Sequence, residues 1–367
     1  MIIKSLALQN FRNFTLQHFE FAHSNLLFGD NGIGKSSVVE ALHLLATAES
    51  FRANRIEEMV RLGAELGRVK AAIDWKVNQE MEQVVLEVTI TRGMVQGKRT
   101  QSRLFAVNDI RRRRKDFLPY FKAVVFRPED LRLVEGSPSR RREFLDTALS
   151  MVFPDYQMAL SRYEQVLKRR NRLLQSINEG REQRSILSFW DTNLLRAGEL
   201  LQQRRSTLID FIRQVMFPFA LNIEYQPSII SQDRLAEYLD REIIVGHSLI
   251  GPHKDDFLLK FSQEHKNIKD LSLLAYGSRG QQRLGVLWLK LAELQFLTQQ
   301  IGYRPVLLLD DIFSELDANS KEMVLSLLDD YQTIMTTADL DVVNELKAKI
   351  SNLKTFDLTA VATNLTP

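Results

Sequence analysis

The sequence predicts an α/β protein in which an inserted helical hairpin interrupts a sheet-bearing head. Three observations carry this prediction. A Gly-rich turn at 29–37 lies between the apolar run "NLLF" and a helical pattern that begins at Lys35. Four consecutive apolar residues, Val306, Leu307, Leu308 and Leu309, run into Asp310 and Asp311, and a run without alternation marks a strand buried on both faces. Between these segments the apolar period changes from two residues to three or four.

Composition narrows the class. The chain has 367 residues, 44% hydrophobic and 26% charged, enough for one large or two modest domains. It has no Cys, which excludes disulfides, thiolate metal sites and Cys nucleophiles and fits a reducing, cytoplasmic setting. No stretch approaches the ~18 unbroken apolar residues of a membrane span. The start, "MIIKSLALQNFRNF", reads as strand and turn, not as a signal segment. A net charge of +3 says little about partners, so the distribution of charge matters more.

The elements follow in order. Residues 1–126 read mostly as strands; "VVLEVTI" places Leu86, Val88 and Ile90 on one face, and "KAVVF" is a short buried strand. One helix interrupts them, "KSSVVEALHLLATAE" at 35–49. Ser137 followed by Pro138 reads as a helix start, with Ser as the cap and Pro at the first helical position. Leu160, Tyr163, Leu167 and Leu174 then recur at helical spacing, as do Trp190, Leu194, Ala197, Leu201 and Leu208. The polar stretch "SINEGREQRS" joins these two long antiparallel helices. After about 250, strands and helices alternate as in parallel α/β structure. The expected organisation is a discontinuous head, 1–126 with 250–367, and an inserted helical domain, 127–249.

The turn at 29–37 has the pattern G-x4-G-K-S: Gly29, Asp30, Asn31, Gly32, Ile33, Gly34, Lys35, Ser36 and Ser37. Between a strand and a helix this is a phosphate loop. Its glycines let backbone N–H groups converge on phosphates, and the helix N-terminus adds its dipole. Lys35 is expected to reach the terminal phosphates of ATP, and Ser36 to hold Mg²⁺. Asp310, at the carboxyl end of a buried strand, is the second expected Mg²⁺ ligand, and Asp311 is placed to orient or deprotonate a water.

A second polar turn, "YGSRGQQR" at 276–283, opens the strong amphipathic helix "LGVLWLKLAELQF". Together, the phosphate loop, this turn and "LLLDD" followed by "SELD" resemble ABC-type ATPase heads, including the SMC and Rad50 proteins. "LQNFRNF", "GDNGIGKSS", "SFR", "FRPEDLRLVEGSPSRRREFLD", "KRRNRLL", "GPHKDD", "GSRGQQR" and "LLLDDIFSELD" occur in the order of the bacterial RecF family, and the resemblance runs to about residue 340.

The resemblance implies an ABC-type phosphate-loop ATPase head with mixed and antiparallel strands in its N-terminal part and parallel α/β structure in its C-terminal part. It makes Ser278, Arg279, Gly280, Gln281 and Gln282 a signature motif that caps the γ-phosphate held by a second copy, in an ATP-dependent homodimer. It makes Ser314 and Asp317 part of the D-loop. Lys35 and Asp311 become the catalytic pair. Many ABC heads carry Glu at the position of Asp311, and "TIMTTADL" lacks the usual His switch, leaving Thr337 or Asp339 in its place. Slow, DNA-stimulated turnover is expected. The resemblance further implies DNA repair, replication restart, the SOS response, and RecA loading at gaps with RecR and RecO.

Three basic runs bear on DNA: Arg111, Arg112, Arg113 and Arg114; Arg140, Arg141 and Arg142; and "LKRRNRLL". Such clusters suit a duplex, gapped or junction phosphate backbone without sequence readout, although a single charge run is equally often a solvated face. Arg52 and Arg55 are candidates for either nucleotide or DNA. In "GPHKDD", His253 with Asp255 and Asp256 reads as a turn before a strand more readily than as a metal cluster. Of the alternatives, an ATP-binding subunit of a membrane transporter lacks a reason for the basic hairpin, and another, structural SMC-like ATPase would need far longer arms for its coiled coil.

Overall fold

A computed structural model of the protein describes residues 1–77, 80–263 and 268–359. It begins with β1 (Ile2–Phe11), β2 (Phe14–Glu20), β3 (Ser24–Phe28) and helix α1 (Lys35–Thr47). Next come β4 (Leu66–Val77), β5 (Glu80–Thr91), the small hairpin β6 (Met94–Val95) and β7 (Lys98–Arg99), β8 (Arg103–Val107), β9 (Ile110–Arg112), α2 (Arg114–Phe117) and β10 (Ala123–Phe126). The helical part holds α3 (Arg132–Glu135), α4 (Pro138–Val152), α5 (Pro154–Asn178), α6 (Leu187–Gln214), β11 (Leu221–Gln226), α7 (Gln232–Val245), β12 (Asp256–Gln263), β13 (Ile268–Ser272) and α8 (Leu273–Tyr276). Helix α9 (Arg279–Ile301) leads to β14 (Val306–Asp310), α10 (Ala318–Leu325), β15 (Thr333–Thr337), α11 (Leu340–Lys349) and β16 (Leu353–Asp357).

The chain divides into two compact units, 131–296 and the remainder. The first crossing falls close to the expected 126. The return falls at 296/297, inside α9, and not at 250. The reason is strand pairing: β12 pairs antiparallel with β11 on one side and β13 on the other, so the segment that carries "GPHKDD" and the polar turn belongs with the helices. Residues 78–79, 264–267 and 360–367 of the expected head lie outside the described residues.

In the first unit, six strands form a sheet in the order β2-β1-β4-β5-β8-β9, and five form a parallel sheet in the order β10-β14-β15-β3-β16. Leu86, Val88 and Ile90 are fully buried on one face of β5, as the alternation predicts. Helix α1 packs against strands of both sheets. Val38, Val39, Ala41, Leu42, Leu44 and Leu45 are all fully buried, which is why this helix is apolar nearly all round.

The second unit is built on the α5–α6 hairpin. Tyr163, Val166, Leu173 and Leu174 pack from α5; Leu194, Ala197, Leu201 and Leu208 pack from α6. Ser137 does sit at the N-cap of α4, but its side chain makes no capping bond; its Oγ pairs with Ser139 Oγ at 2.7 Å. "GPHKDD" is a short helical turn before β12, and among the described residues no group of three metal-ligating side chains occurs. His253 bonds Tyr163 through Nδ1 at 2.8 Å, and burial pushes its imidazole down to about 4. Asp255 is fully buried and accepts from Arg205 Nη1 (2.8 Å), Gln202 Nε2 (2.8 Å), the Tyr225 hydroxyl (2.6 Å) and Ser228 N (2.8 Å). Arg205 also donates to Asp146 at 2.8 Å and to the Pro252 carbonyl at 2.7 Å. One buried guanidinium therefore joins α4, α6 and the "GPHKDD" turn.

Removing one partner of a buried ion network strands the others without compensation. Arg205→Ala is expected to cost about 3–5 kcal/mol, read as a urea midpoint at lower denaturant. A loss below about 1 kcal/mol, the range of exposed pairs, would show that Asp255 is compensated without it.

Candidate nucleotide site

The phosphate loop leaves β3 and enters α1 through residues that only glycine adopts readily. Gly29, Gly32 and Gly34 have φ of 139°, 82° and 119°. A Cβ on Gly34 would lie 2.7 Å from both Asn13 Nδ2 and Phe14 Cζ. Asn13 in turn donates to the Ile33 carbonyl at 2.6 Å, so the β1–β2 turn braces the loop. No side chain caps α1 and its first turn has no acidic residue, which suits an anion at its N-terminus. Lys35 is 6% exposed; its Nζ donates to the carbonyls of Gly29 (2.7 Å) and Asp30 (2.9 Å). Burial pushes its pKa down, against the pull of Asp311, Asp310 and Asp30.

The parallel register brings the second half of the site to this loop. In the sheet Asp310 is opposite Thr336, and Thr337 is opposite Phe28 at the end of β3. Asp310 Oδ1 accepts from Ser36 Oγ at 3.0 Å and from Thr336 Oγ1 at 2.7 Å. Burial pushes the Asp310 carboxyl up, and the two hydroxyls oppose that shift. Asp311 is half-buried with φ of 53°. Burial raises its pKa too, opposed by the Ala338 amide, Lys35 and the Thr337 hydroxyl. A carboxylate made more basic in this way is suited to taking a proton from water.

The Mg²⁺ expectation fits this donor set. Ser36 and Asp310 offer hard oxygen atoms only, from two side chains already hydrogen-bonded to each other, and Mg²⁺ normally takes one or two such ligands beside phosphate and water.

Sequence reasoning missed several supports. Arg12 holds Glu40 of α1 through two bonds, 2.8 and 2.6 Å. Glu40 also accepts from Ser50, whose Oγ takes the amides of Arg52 (2.9 Å) and Ala53 (2.7 Å). This turn sets Arg52 close enough to Asp310 to favour its charged form. Arg127 stacks on Phe51 at 4.4 Å, and the neighbouring Glu129 raises Asp310 further. Of these only "LQNFRNF", "SFR" and "FRPEDL" stand out in sequence, and nothing local gives their partners. Ser314 donates to the Asp311 carbonyl at 3.1 Å, and Asp317 caps α10 through Ser320 N at 2.8 Å.

The polar turn is described within the second unit. Ser278 Oγ accepts from Gln281 N at 3.3 Å while Gln281 Oε1 accepts from Ser278 N at 2.9 Å. This reciprocal pair is a capping box. It uses a lone pair of the Ser278 hydroxyl and leaves the proton free to donate. Arg279 and Gly280 are exposed, whereas Gln282 is buried, with its Nε2 turned to the carbonyls of Leu273, Leu274 and Gly277.

The basic runs divide sharply. Arg141 is 7% exposed and bonds Asp256 at 2.6 and 2.9 Å, which removes it from the DNA candidates. Asp256 reaches it because the start of β12 packs against α4. Arg142 donates to the Asp255 carbonyl at 2.9 Å, and Arg140 pairs with Glu143 at 3.1 Å. Arg170 of the third run is fully buried against Asp191 and Glu242. Arg114 pairs with Glu49 at 3.0 Å. Arg111, Arg112 and Arg113 remain exposed on the edge strand β9 and its end, with Arg111 bonded to Gln101 at 2.8 Å.

Comparison with known proteins agrees with this geometry. Residues 2–357 match the family model described as RecF/RecN/SMC N terminal domain. The chain is 31% identical over 357 residues to the DNA replication and repair protein RecF of Agathobacter rectalis, covering 93% of each. It is 34% identical to that of Synechocystis sp., covering 93% of this chain and 92% of the relative. The chain belongs to the RecF family. A solved structure of the recombination mediator protein RecF with ATP, in the RecFOR pathway, superposes with a TM-score of 0.80 at 29% identity, covering 92% of each chain. An SMC head domain from Pyrococcus furiosus, at 16% identity and a TM-score of 0.53, shares the ABC-type head fold. RecF membership sets aside the transporter-subunit alternative.

Lys35→Ala removes the ammonium from the loop. ATP affinity, measured by calorimetry, is expected to fall below detection while the circular dichroism spectrum stays unchanged. Near-wild-type affinity would remove the phosphate-loop assignment.

Proposed function

We propose that this RecF-family chain is an ATP-dependent DNA-binding protein of recombinational repair, and that ATP closes two copies head to head on DNA. The observation that carries the ATPase reading is the 3.0 Å bond from Ser36 of the phosphate loop to Asp310 of the buried strand. It supports a phosphate cradle beside a carboxylate pair. Lys35 would hold the terminal phosphates, and Ser36 and Asp310 would hold Mg²⁺. When bound, the ion neutralises charge on the phosphoryl oxygens. Asp311 would orient the attacking water and accept its proton as the bond between the γ-phosphorus and the ADP oxygen breaks. The products are ADP and phosphate. We expect slow, DNA-stimulated turnover, because Asp311 is shorter than Glu and no His follows β15.

The dimer reading rests on the capping box. Ser278 already serves its own helix, yet its hydroxyl proton and the exposed turn at Arg279 and Gly280 suit a phosphate on a second copy. By family analogy the partners are RecR and RecO, the work is RecA loading at gaps, replication restart and SOS induction, and the place is the cytoplasm. No described helix is long and apolar enough to cross a membrane.

Two variants separate ATP binding from closure. Asp311→Asn should retain ATP, hydrolyse it more slowly and stay on DNA longer. Ser278→Arg should also retain ATP but remain monomeric in sedimentation. Faster DNA release by the first, or normal ATP-dependent dimerisation by the second, would overturn the two-copy mechanism.

For DNA, the exposed run is the favoured surface. Replacing Arg111, Arg112 and Arg113 by Ala should reduce the slope of log affinity against log salt by about one for each phosphate no longer neutralised. The same change at Arg140 should leave the slope unaltered. Equal slopes for wild type and the triple variant would place the DNA surface elsewhere.

A further inference from the structure

The two aspartates of the site share one side chain that neither the motif nor the family resemblance singled out, through the carboxylate of Asp310 and the backbone amide of Asp311. Thr336 is fully buried in β15. A hydroxyl carries one proton and two lone pairs, and here both functions are engaged. Oγ1 donates to Asp310 Oδ1 at 2.7 Å and accepts from Asp311 N at 3.0 Å. The Asp311 amide also points to the Thr336 carbonyl at 3.2 Å.

Each bond has a consequence. Asp310 Oδ1 already receives Ser36; with Thr336 added, one carboxylate oxygen is doubly occupied. Oδ2 makes no hydrogen bond among the described residues and is the oxygen left for a metal ion or its water. Asp311 has φ of 53°, a left-handed conformation that residues with a Cβ adopt less readily than glycine. It persists where the surroundings hold it, and Thr336 holds its amide from both the side chain and the backbone.

Accepting the ATPase reading above, we infer that Thr336 is a positioning residue for hydrolysis, whose single hydroxyl orients the metal-binding carboxylate of Asp310 and secures the turn from which Asp311 acts. Neighbours that orient metal ligands typically influence metal affinity or activity about 10–100-fold. Thr337, next in the strand, serves differently: its Oγ1 accepts from Asp339 N at 3.1 Å and its hydroxyl faces Asp311.

Thr336→Val keeps the branched shape and removes the hydroxyl; Thr336→Ser keeps the hydroxyl and removes a methyl. The readouts are Mn²⁺ affinity in the presence of ADP, by electron paramagnetic resonance, ATP affinity in EDTA, and steady-state kcat and KM. For Thr336→Val we expect Mn²⁺ affinity to fall about tenfold and kcat about 10–100-fold, with ATP affinity in EDTA unchanged. Thr336→Ser should restore both losses. If the Val variant does not fold, Thr336→Ala against Thr336→Ser makes the same comparison. Wild-type Mn²⁺ affinity and kcat in the hydroxyl-free variant would overturn the inference, and so would a Ser variant as defective as Val or Ala. Asp310→Asn is measured alongside: if it keeps Mn²⁺ affinity and turnover, the site reading itself fails. If it loses them while Thr336→Val does not, only the role of Thr336 fails.

Discussion

The site depends on the parallel register of β14, β15 and β3. Because all three strands run the same way, their carboxyl ends emerge together, and the phosphate loop, Thr336–Thr337 and Asp310–Asp311 meet at one edge of one sheet. Ligands of open α/β sheets bind at such edges for this reason. A shift of one residue in the β14–β15 ladder would turn Thr336 to the opposite face and leave Asp310 buried with only the Ser36 bond. The extensive apolar burial of β14 and β15 makes such a slip costly, so the core fixes the chemistry.

Around that edge the unit spends its buried polar groups as braces. Arg12–Glu40–Ser50 and Arg127–Asp130 hold two loops against α1 and β10, and each presents a charged side chain, Arg52 and Glu129, near Asp310. The hairpin unit follows the same logic on a larger scale. Arg141, Arg170 and Arg205 look in sequence like available positive charge, but each is buried against carboxylates. Unpaired charge in such places is expensive, so these arginines specify how helices dock. Among the described residues, Arg111, Arg112 and Arg113 of the first run and Lys168, Arg169 and Arg172 of the third remain exposed.

The polar turn before α9 has a structural role that leaves room for the proposed binding role. Ser278 and Gln281 satisfy one another's backbone donors, as any stable helix start requires. A hydroxyl can accept one bond and still donate another, so the cap does not consume the group proposed to reach a second copy.

Much was legible from sequence alone. The spacing of Gly29, Gly34, Lys35 and Ser36, the apolar run into Asp310, and the change of period into the hairpin each follow from local chemistry: glycine's conformational freedom, strand burial and helical periodicity. The alternation at Leu86, Val88 and Ile90 likewise reads directly as a buried face. Tertiary structure alone decided the partners. It moved the second unit's boundary from 250 to 296/297, because β12 pairs with β11. It turned Arg141 inward to Asp256, paired Arg12 with Glu40, and set the Thr336 hydroxyl between the carboxylate of Asp310 and the backbone amide of Asp311, 26 and 25 residues away. Local pattern reports what a residue prefers, whereas these pairings depend on strand register and on which charges burial forces together; both are properties of the folded whole.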